Sequence, residues 1–509
     1  MSTGLVHSAP TPSSPQRQRS TRGEIARSAA TSIIGRGISA ALTAALILFL
    51  VRELSAYEYG IFALAVSISE LLILPADAGL TGAAARFIAE QRDNVAAVAD
   101  LITRTTRLKF LVMTAIGAVL AVAAGSIARA YALPGLAWPL RVAALAGLGE
   151  SSVYFSSIIF MALRRAGLTL RLLAAESVLE FTASVALVLS GARVVGAIAG
   201  RAIGYVGGAT VGWLLMRPYR RRRAGQIATM MSIRTLLRYA AAVAAVDLVT
   251  TSLFYVDVPI IAALLGPRAV AIFQAPLKLT AFLALPAVAV AQAVAPNVAR
   301  SAAGDRPGAD ELGAALRVMS LCYAFVTPLI LVWADPVARA LLGTHYASSG
   351  EVIQLLTPYV FLLGAAPLLA AGVTYLGAAR RRVPFAIAAL AVNVTLDFLL
   401  LPAIGVIGAS LATDAGFAVA VVGNVLLCRR ELRFRMRPLV ATGARAIFAS
   451  AVVWVVLNSL GGASMSLPAA LISILLSPVI FIAAAALTGE RVIWQAATLV
   501  RSVLARSNA

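Results

Sequence analysis

The chain has 509 residues, 60% of them hydrophobic, a mean hydropathy of +0.90 and a net charge of +21. That apolar share exceeds the roughly 45–50% of a soluble domain, so the sequence reads as an all-α, polytopic membrane protein rather than a soluble one. A nucleic-acid partner is excluded despite the charge, because the basic residues are spread over short connections between apolar stretches, as membrane topology alone requires.

Residues 1–28 are rich in Ser, Thr, Pro and Arg with one acid, Glu24, and read as a disordered cytoplasmic tail. The apolar run that follows is too long for a cleaved signal peptide. A span needs about 20 mostly apolar residues. The sequence predicts fourteen, near 29–51, 57–80, 108–128, 136–163, 167–190, 194–216, 239–263, 267–298, 314–334, 352–377, 383–401, 405–427, 441–461 and 467–488. Between the second and third spans, 81–107 reads as an amphipathic segment lying on the membrane, with 299–313 as its shorter counterpart.

With the N-terminus in the cytoplasm, the tails, connections and span ends on that side hold 34 of the 43 basic residues. They include Arg220 to Arg223 and Arg380 to Arg382, and can meet anionic lipid headgroups. The opposite side holds five: Arg52, Arg129, Arg193, Arg268 and Arg339. The positive-inside rule then puts both termini in the cytoplasm.

The chain also resembles itself. Leu54, Ile61, Phe62, Leu72 and Pro75 recur 211 residues later as Leu265, Ile272, Phe273, Leu283 and Pro286. Leu179-Glu180-Phe181 recurs 217 residues later as Leu396-Asp397-Phe398, and Val195-Gly196-Ala197 matches Ile407-Gly408-Ala409. Six helices per repeat leave both halves in the same orientation, related by an axis along the membrane normal. The expected organisation is an N-lobe over 29–223, a C-lobe over 224–437, a terminal helix pair over 438–489 and a cytoplasmic tail over 490–509.

Ionisable groups inside spans are costly and mark function. Arg36, Arg201 and Lys278 are mid-span cations from both halves, expected to line one water-filled cavity that attracts an anion. Arg grips phosphate bidentately and Lys binds it as a point charge. Asp77, Asp247 and Asp257 are candidates for ion coupling or charge balance. Glu70, Glu150, Glu176, Glu180, Asn393, Asp397, Asp414 and Asn424 are further polar groups in spans, and structural salt bridges are the competing reading for all of these. No phosphate-binding G-x-x-x-x-G-K-S/T loop occurs. The only histidines, His7 and His345, cannot form a metal cluster, so no cofactor is expected.

The stretch from Leu54 through Tyr57-Glu58-Tyr59-Gly60-Ile61-Phe62, with Asp77-Ala78-Gly79-Leu80 and Ala85-Arg86-Phe87-Ile88-Ala89, resembles the bacterial polysaccharide flippases. These handle O-antigen and exopolysaccharide units within the multidrug/oligosaccharidyl-lipid/polysaccharide exporter superfamily. The resemblance implies a bacterial inner-membrane protein. Its substrate would be an undecaprenyl-diphosphate-linked oligosaccharide, moved between leaflets by alternating access, with membrane lipids and other polysaccharide-assembly proteins as neighbours. A lipid II flippase, a cation-coupled drug exporter of the same superfamily and a membrane glycan polymerase or ligase are the alternatives. The short outer connections disfavour the last.

Overall fold

The computed structural model describes residues 37–92, 94–220, 232–301, 307–375, 379–432 and 435–490. Both expected tails, apart from Glu490, lie outside the described residues, as do Arg36 and Arg221 to Arg223 and the side chains of Asp77 and Asp247.

The first half runs through α1 (37–53), α2 (Ala56–Glu90), α3 (Val95–Ala130), α4 (Ala137–Ala162), α5 (Ala166–Leu187) and α6 (Arg193–Met216). The second runs through α7 (Ile233–Tyr255), α8 (Asp257–Leu265), α9 (Pro267–Thr280), α10 (Leu285–Ser301), α11 (Pro307–Leu342), α12 (Ser349–Leu355), α13 (Thr357–Leu363), α14 (Ala366–Tyr375), α15 (Val383–Ile404) and α16 (Val406–Leu432). The chain closes with α17 (Met436–Ser459) and α18 (Leu467–Leu487). No strand occurs among the described residues.

Eleven of the helical stretches are long and apolar enough to cross a membrane, and one of them, Ala166–Arg220, holds both α5 and α6. The protein is a multi-pass, all-α membrane protein.

Local chemistry sets where these helices start and break. Ser55 caps α2 in a capping box with Glu58, and the Asn94 side chain accepts the Ala97 N–H at 3.0 Å to start α3. The expected surface segment 81–107 is absent as a separate helix. Instead α2 and α3 continue through it as helices of 35 and 36 residues, with Gln91 and Arg92 in a turn after the first and Asn94 capping the second.

Prolines remove backbone hydrogen bonds in three predicted spans and divide two of them. A prolyl nitrogen cannot donate to the carbonyl four residues back, and in a membrane that carbonyl needs another partner. Pro259 frees Tyr255, and the helix is interrupted at Val256 between α7 and α8. Pro276 frees Ile272, whose oxygen accepts from the Ser349 hydroxyl at 2.9 Å. The span at 352–377 is three short helices, α12 to α14, with Pro358 and Pro367 near the starts of the second and third.

Two helix contacts hold α2 against the second half. A Cβ on Gly60 would overlap the Pro267 carbonyl of α9, and one on Gly79 would overlap the Ala240 carbonyl of α7 and lie 2.7 Å from the Ala244 Cβ. A single apolar core runs through both halves, from Leu50 and Leu64 to Phe273, Leu356 and Leu401. The terminal pair packs on α11, with Ala449, Val453 and Phe481 against Leu321 and Trp333.

Candidate functional site: a cationic cavity between two buried polar clusters

Small residues bring α5 and α6 together. Gly200, Gly204 and Gly208 recur every fourth residue and face Ser184, Glu180 and Glu176 of α5, and Gly212 extends the stripe against Ser156 of α4 and Leu172 of α5. Such a stripe lets backbones approach closely, as at membrane helix interfaces generally. It also fixes the height of Arg201.

Arg201 is the hub of the first cluster. One guanidinium nitrogen meets Glu70 of α2 at 2.8 Å and Glu150 of α4 at 3.0 Å, and the other meets Glu180 of α5 at 3.5 Å. The guanidinium lies 4.8 Å from the Tyr205 ring centroid, and the Tyr205 hydroxyl donates to Glu150 at 3.1 Å. Glu176 joins the same field, with the Ser177 hydroxyl donating to it at 3.1 Å. Four helices are tied at one level.

Lys278 of α9 is treated differently. Its ammonium lies 4.9 Å from the Tyr255 ring centroid and feels the charges of Glu70, Glu150 and Arg201. It makes no ion pair within 4 Å among the described residues. It lines a cavity of 580 Å³ whose walls come from residues 253–424. Most of that wall is apolar, including Phe254, Leu277, Leu363 and Phe417, with Gln274, Asn424 and a second cation, Arg382, as polar points. Arg382 is braced by Asn424 at 2.9 Å and Thr374 at 3.2 Å.

The second cluster surrounds Asp257. The break at Val256 places this carboxylate in the first turn of α8, where the helix dipole favours negative charge. The Thr413 hydroxyl of α16 donates to it at 2.8 Å. Asn393 and Asp397, one turn apart on α15, approach it closely enough to interact. Both are fully buried. Yet Asp257 Oδ1, both polar atoms of Asn393 and both carboxylate oxygens of Asp397 make no hydrogen bond of good geometry among the described residues. Buried polar groups are otherwise nearly always satisfied. Nearby, Asp414 accepts the Tyr359 N–H at the start of α13, at 2.9 Å.

Three of the six residues singled out from the sequence are therefore placed. Lys278 lines the cavity, Arg201 is held by glutamates beside it, and Asp257 sits in a separate polar cluster. Arg36 and the side chains of Asp77 and Asp247 are outside the described residues. Sequence reasoning treated Arg382 as a connection residue and passed over Thr413, Tyr205 and Tyr255. The recurrence of Glu180 as Asp397 was the one signal that pointed to paired clusters.

The sequence profile described as "polysaccharide biosynthesis protein" matches residues 25–301, more than half of the chain. The chain belongs to this family. Three solved structures show the same fold as this chain. A lipid II flippase, MurJ, in an inward closed conformation is 13% identical, with 89% of this chain and 97% of that one covered at a TM-score of 0.66. An inward-facing multidrug resistance MATE transporter of the MOP superfamily is 17% identical, covering 80% and 94% at a TM-score of 0.54. A Vibrio cholerae MATE transporter in its bent form is 15% identical, covering 80% and 100% at a TM-score of 0.54. No curated protein matches the sequence significantly. The fold of this family member is thus that of flippases and transporters of the MOP superfamily.

Proposed function

We propose that the protein is a flippase rather than an enzyme. Its cargo is undecaprenyl-diphosphate-linked oligosaccharide, moved from the cytoplasmic to the outer leaflet of a bacterial inner membrane for polysaccharide synthesis. The observation that carries this reading is Lys278: a half-buried cation with no ion pair among the described residues, on the wall of a largely apolar cavity that also holds Arg382. An isolated cation inside a membrane costs roughly 2.5–3.5 kcal/mol on insertion scales. A diphosphate would offset that cost, while the apolar wall suits an isoprenoid chain or sugar faces.

Transport proceeds by alternating access of the two halves, 29–223 and 224–437, with both termini in the cytoplasm. The Asp257 cluster supplies the coupling ion. Its donors are carboxylate, amide and hydroxyl oxygens, which suit a small hard cation. Binding there would satisfy these oxygens and join α8, α15 and α16.

Deleting the gene and analysing lipid-linked intermediates tests the reading. Accumulated undecaprenyl-diphosphate oligosaccharide and lost surface glycan support it, and restoration requires Lys278. Accumulated lipid II with intact glycan would instead assign murein precursor as cargo.

A further inference from the structure

The Arg201 and Asp257 clusters share a geometry that neither shows alone. Helices α5 and α15 both begin and end 217 residues apart, which sets Glu176 on Asn393 and Glu180 on Asp397. Their partners α6 and α16 can be registered by close approach. A Cβ on Gly208 would lie 2.7 Å from the Glu176 Cβ, and one on Gly416 would lie 2.8 Å from the Asn393 Cβ. Gly200 and Gly408, with the same spacing of 208, cross the partner helix at its other end, against Ser184 and Leu400. This register differs from the sequence match of Gly196 with Gly408. The connections differ as well: the five-residue π-helical turn Val188–Ala192, with Gly191 at φ +94°, precedes α6, whereas Gly405 alone separates α15 from α16.

In the packed register Tyr205 falls on Thr413, and Arg201 falls on Ala409. The two pockets share the α5/α15 and α6/α16 positions and differ in what joins them: Glu70 of α2 and Glu150 of α4 in the first, Asp257 of α8 in the second. In the first half an arginine enters from α6 and satisfies the carboxylates. In the second half the equivalent residue is a fully buried alanine, and five polar atoms of Asp257, Asn393 and Asp397 lack a well-formed hydrogen bond among the described residues.

We infer that the two clusters are repeat-related forms of one cation site, and that the Arg201 guanidinium is a built-in occupant of the first. The second half keeps the exchangeable form, open to a small monovalent cation. The charges facing Arg201 are Glu70 from α2, Glu150 from α4, and Glu176 and Glu180 from α5, with Tyr205 on its own helix and Lys278 of α9 nearby. One half is thus permanently tied, and ion exchange acts on the other alone. This rests on the ion-site reading of the Asp257 cluster, and the test separates the two.

The test is equilibrium binding of radioactive sodium to the purified full chain in nanodiscs, in mildly alkaline buffer so that protons compete little. Wild type is expected to bind one ion, lost in Asp397→Asn. Arg201→Ala, which copies Ala409, is expected to bind two. Wild type and Arg201→Ala each binding one ion through Asp397 would overturn the built-in occupant. No binding by wild type would overturn the Asp257 site instead, and Arg201→Ala would then still gain one ion if the inference holds.

Arg201→Gln keeps most of the side-chain volume and is the second variant should Arg201→Ala fail to fold. Its melting temperature is expected to rise with sodium beyond any rise in wild type. A melting temperature no more sodium-sensitive than that of wild type would also overturn the inference. Arg201→Lys, which keeps the internal charge, is expected to remain at one ion, and a second ion there would count against it.

Discussion

The Ser450 hydroxyl of α17 meets the Ala324 carbonyl of α11 at 2.5 Å. Ala324 lies four residues before Pro328, so this is the carbonyl that the proline leaves without its helical partner. The terminal pair thereby repairs a break in the helix it packs against, as Ser349 does for Ile272 beside Pro276. Ser450→Ala should destabilise the protein by about 1–3 kcal/mol, the usual cost of a buried acceptor left unsatisfied. The check is the thermal midpoint in detergent, together with faster proteolysis in the connection before α17. An unchanged midpoint would mean that the carbonyl finds another donor.

Lys278 and Arg201 should respond oppositely to neutralisation. Lys278 has no ion pair among the described residues, so Lys278→Gln removes a desolvated charge without orphaning a partner. Folded protein should be retained at near wild-type amounts while glycan export falls at least tenfold. Arg201→Gln strands three glutamates that lie within 3.5 Å of it. Breaking a buried pair from one side costs roughly 3–5 kcal/mol, so in low-sodium buffer this variant should give less folded protein than Lys278→Gln and melt at a lower temperature. Quantitative blots beside export assays distinguish the two, and equal protein losses would refute the contrast.

Asp397→Asn is nearly isosteric and removes one of two carboxylates from the Asp257 cluster. Reconstituted flipping by wild type should respond to an imposed sodium or proton gradient, and the variant should lose that response while still folding. An undiminished gradient response in the variant would exclude the cluster as the coupling site.

The fold was largely legible in the sequence because spans follow from apolar length, and the helices need no long-range information to satisfy their backbones. The polar clusters were less so. Asp257, Asn393 and Asp397 each stood out as costly, but hydropathy does not report helix rotation, which alone decides that α8, α15 and α16 turn them toward one another. The packed register of α6 on α16 was not legible for a related reason: close approaches such as Gly208 to Glu176 and Gly416 to Asn393 set it, and hydropathy does not report them. Arg382 went unrecognised because its place in a basic run resembled topology alone, whereas the structure folds it into the cavity wall.

Topology is checked most directly across α17, whose 24 residues cross a bilayer once. Reporter fusions after Arg437 should report cytoplasm and those at Gly462 the periplasm. The reverse pattern would invert the whole assignment, including the direction of transport.

Gly60 and Gly79 are 19 residues apart, about 28 Å along α2. Each sits where α2 touches the second half with no room for a side chain: Gly60 on Pro267 of α9, Gly79 on Ala240 and Ala244 of α7. The obstructing atoms are backbone, or a Cβ fixed to it, so a larger residue cannot be accommodated by a rotamer change. In the proposed orientation Gly60 is at the outer end and Gly79 at the cytoplasmic end. If the halves rock, closure at either end needs the glycine there, and the opposite closure does not. Gly60→Leu should therefore hold the outer end open and Gly79→Leu the inner end. Both should stop export, but with opposite effects on access. Single cysteines placed along the cavity wall, in a background lacking Cys322 and Cys428, should react faster with a membrane-impermeant thiol reagent from outside in the first variant and more slowly in the second. The same direction of change in both would show that these contacts only stabilise the fold and do not gate it.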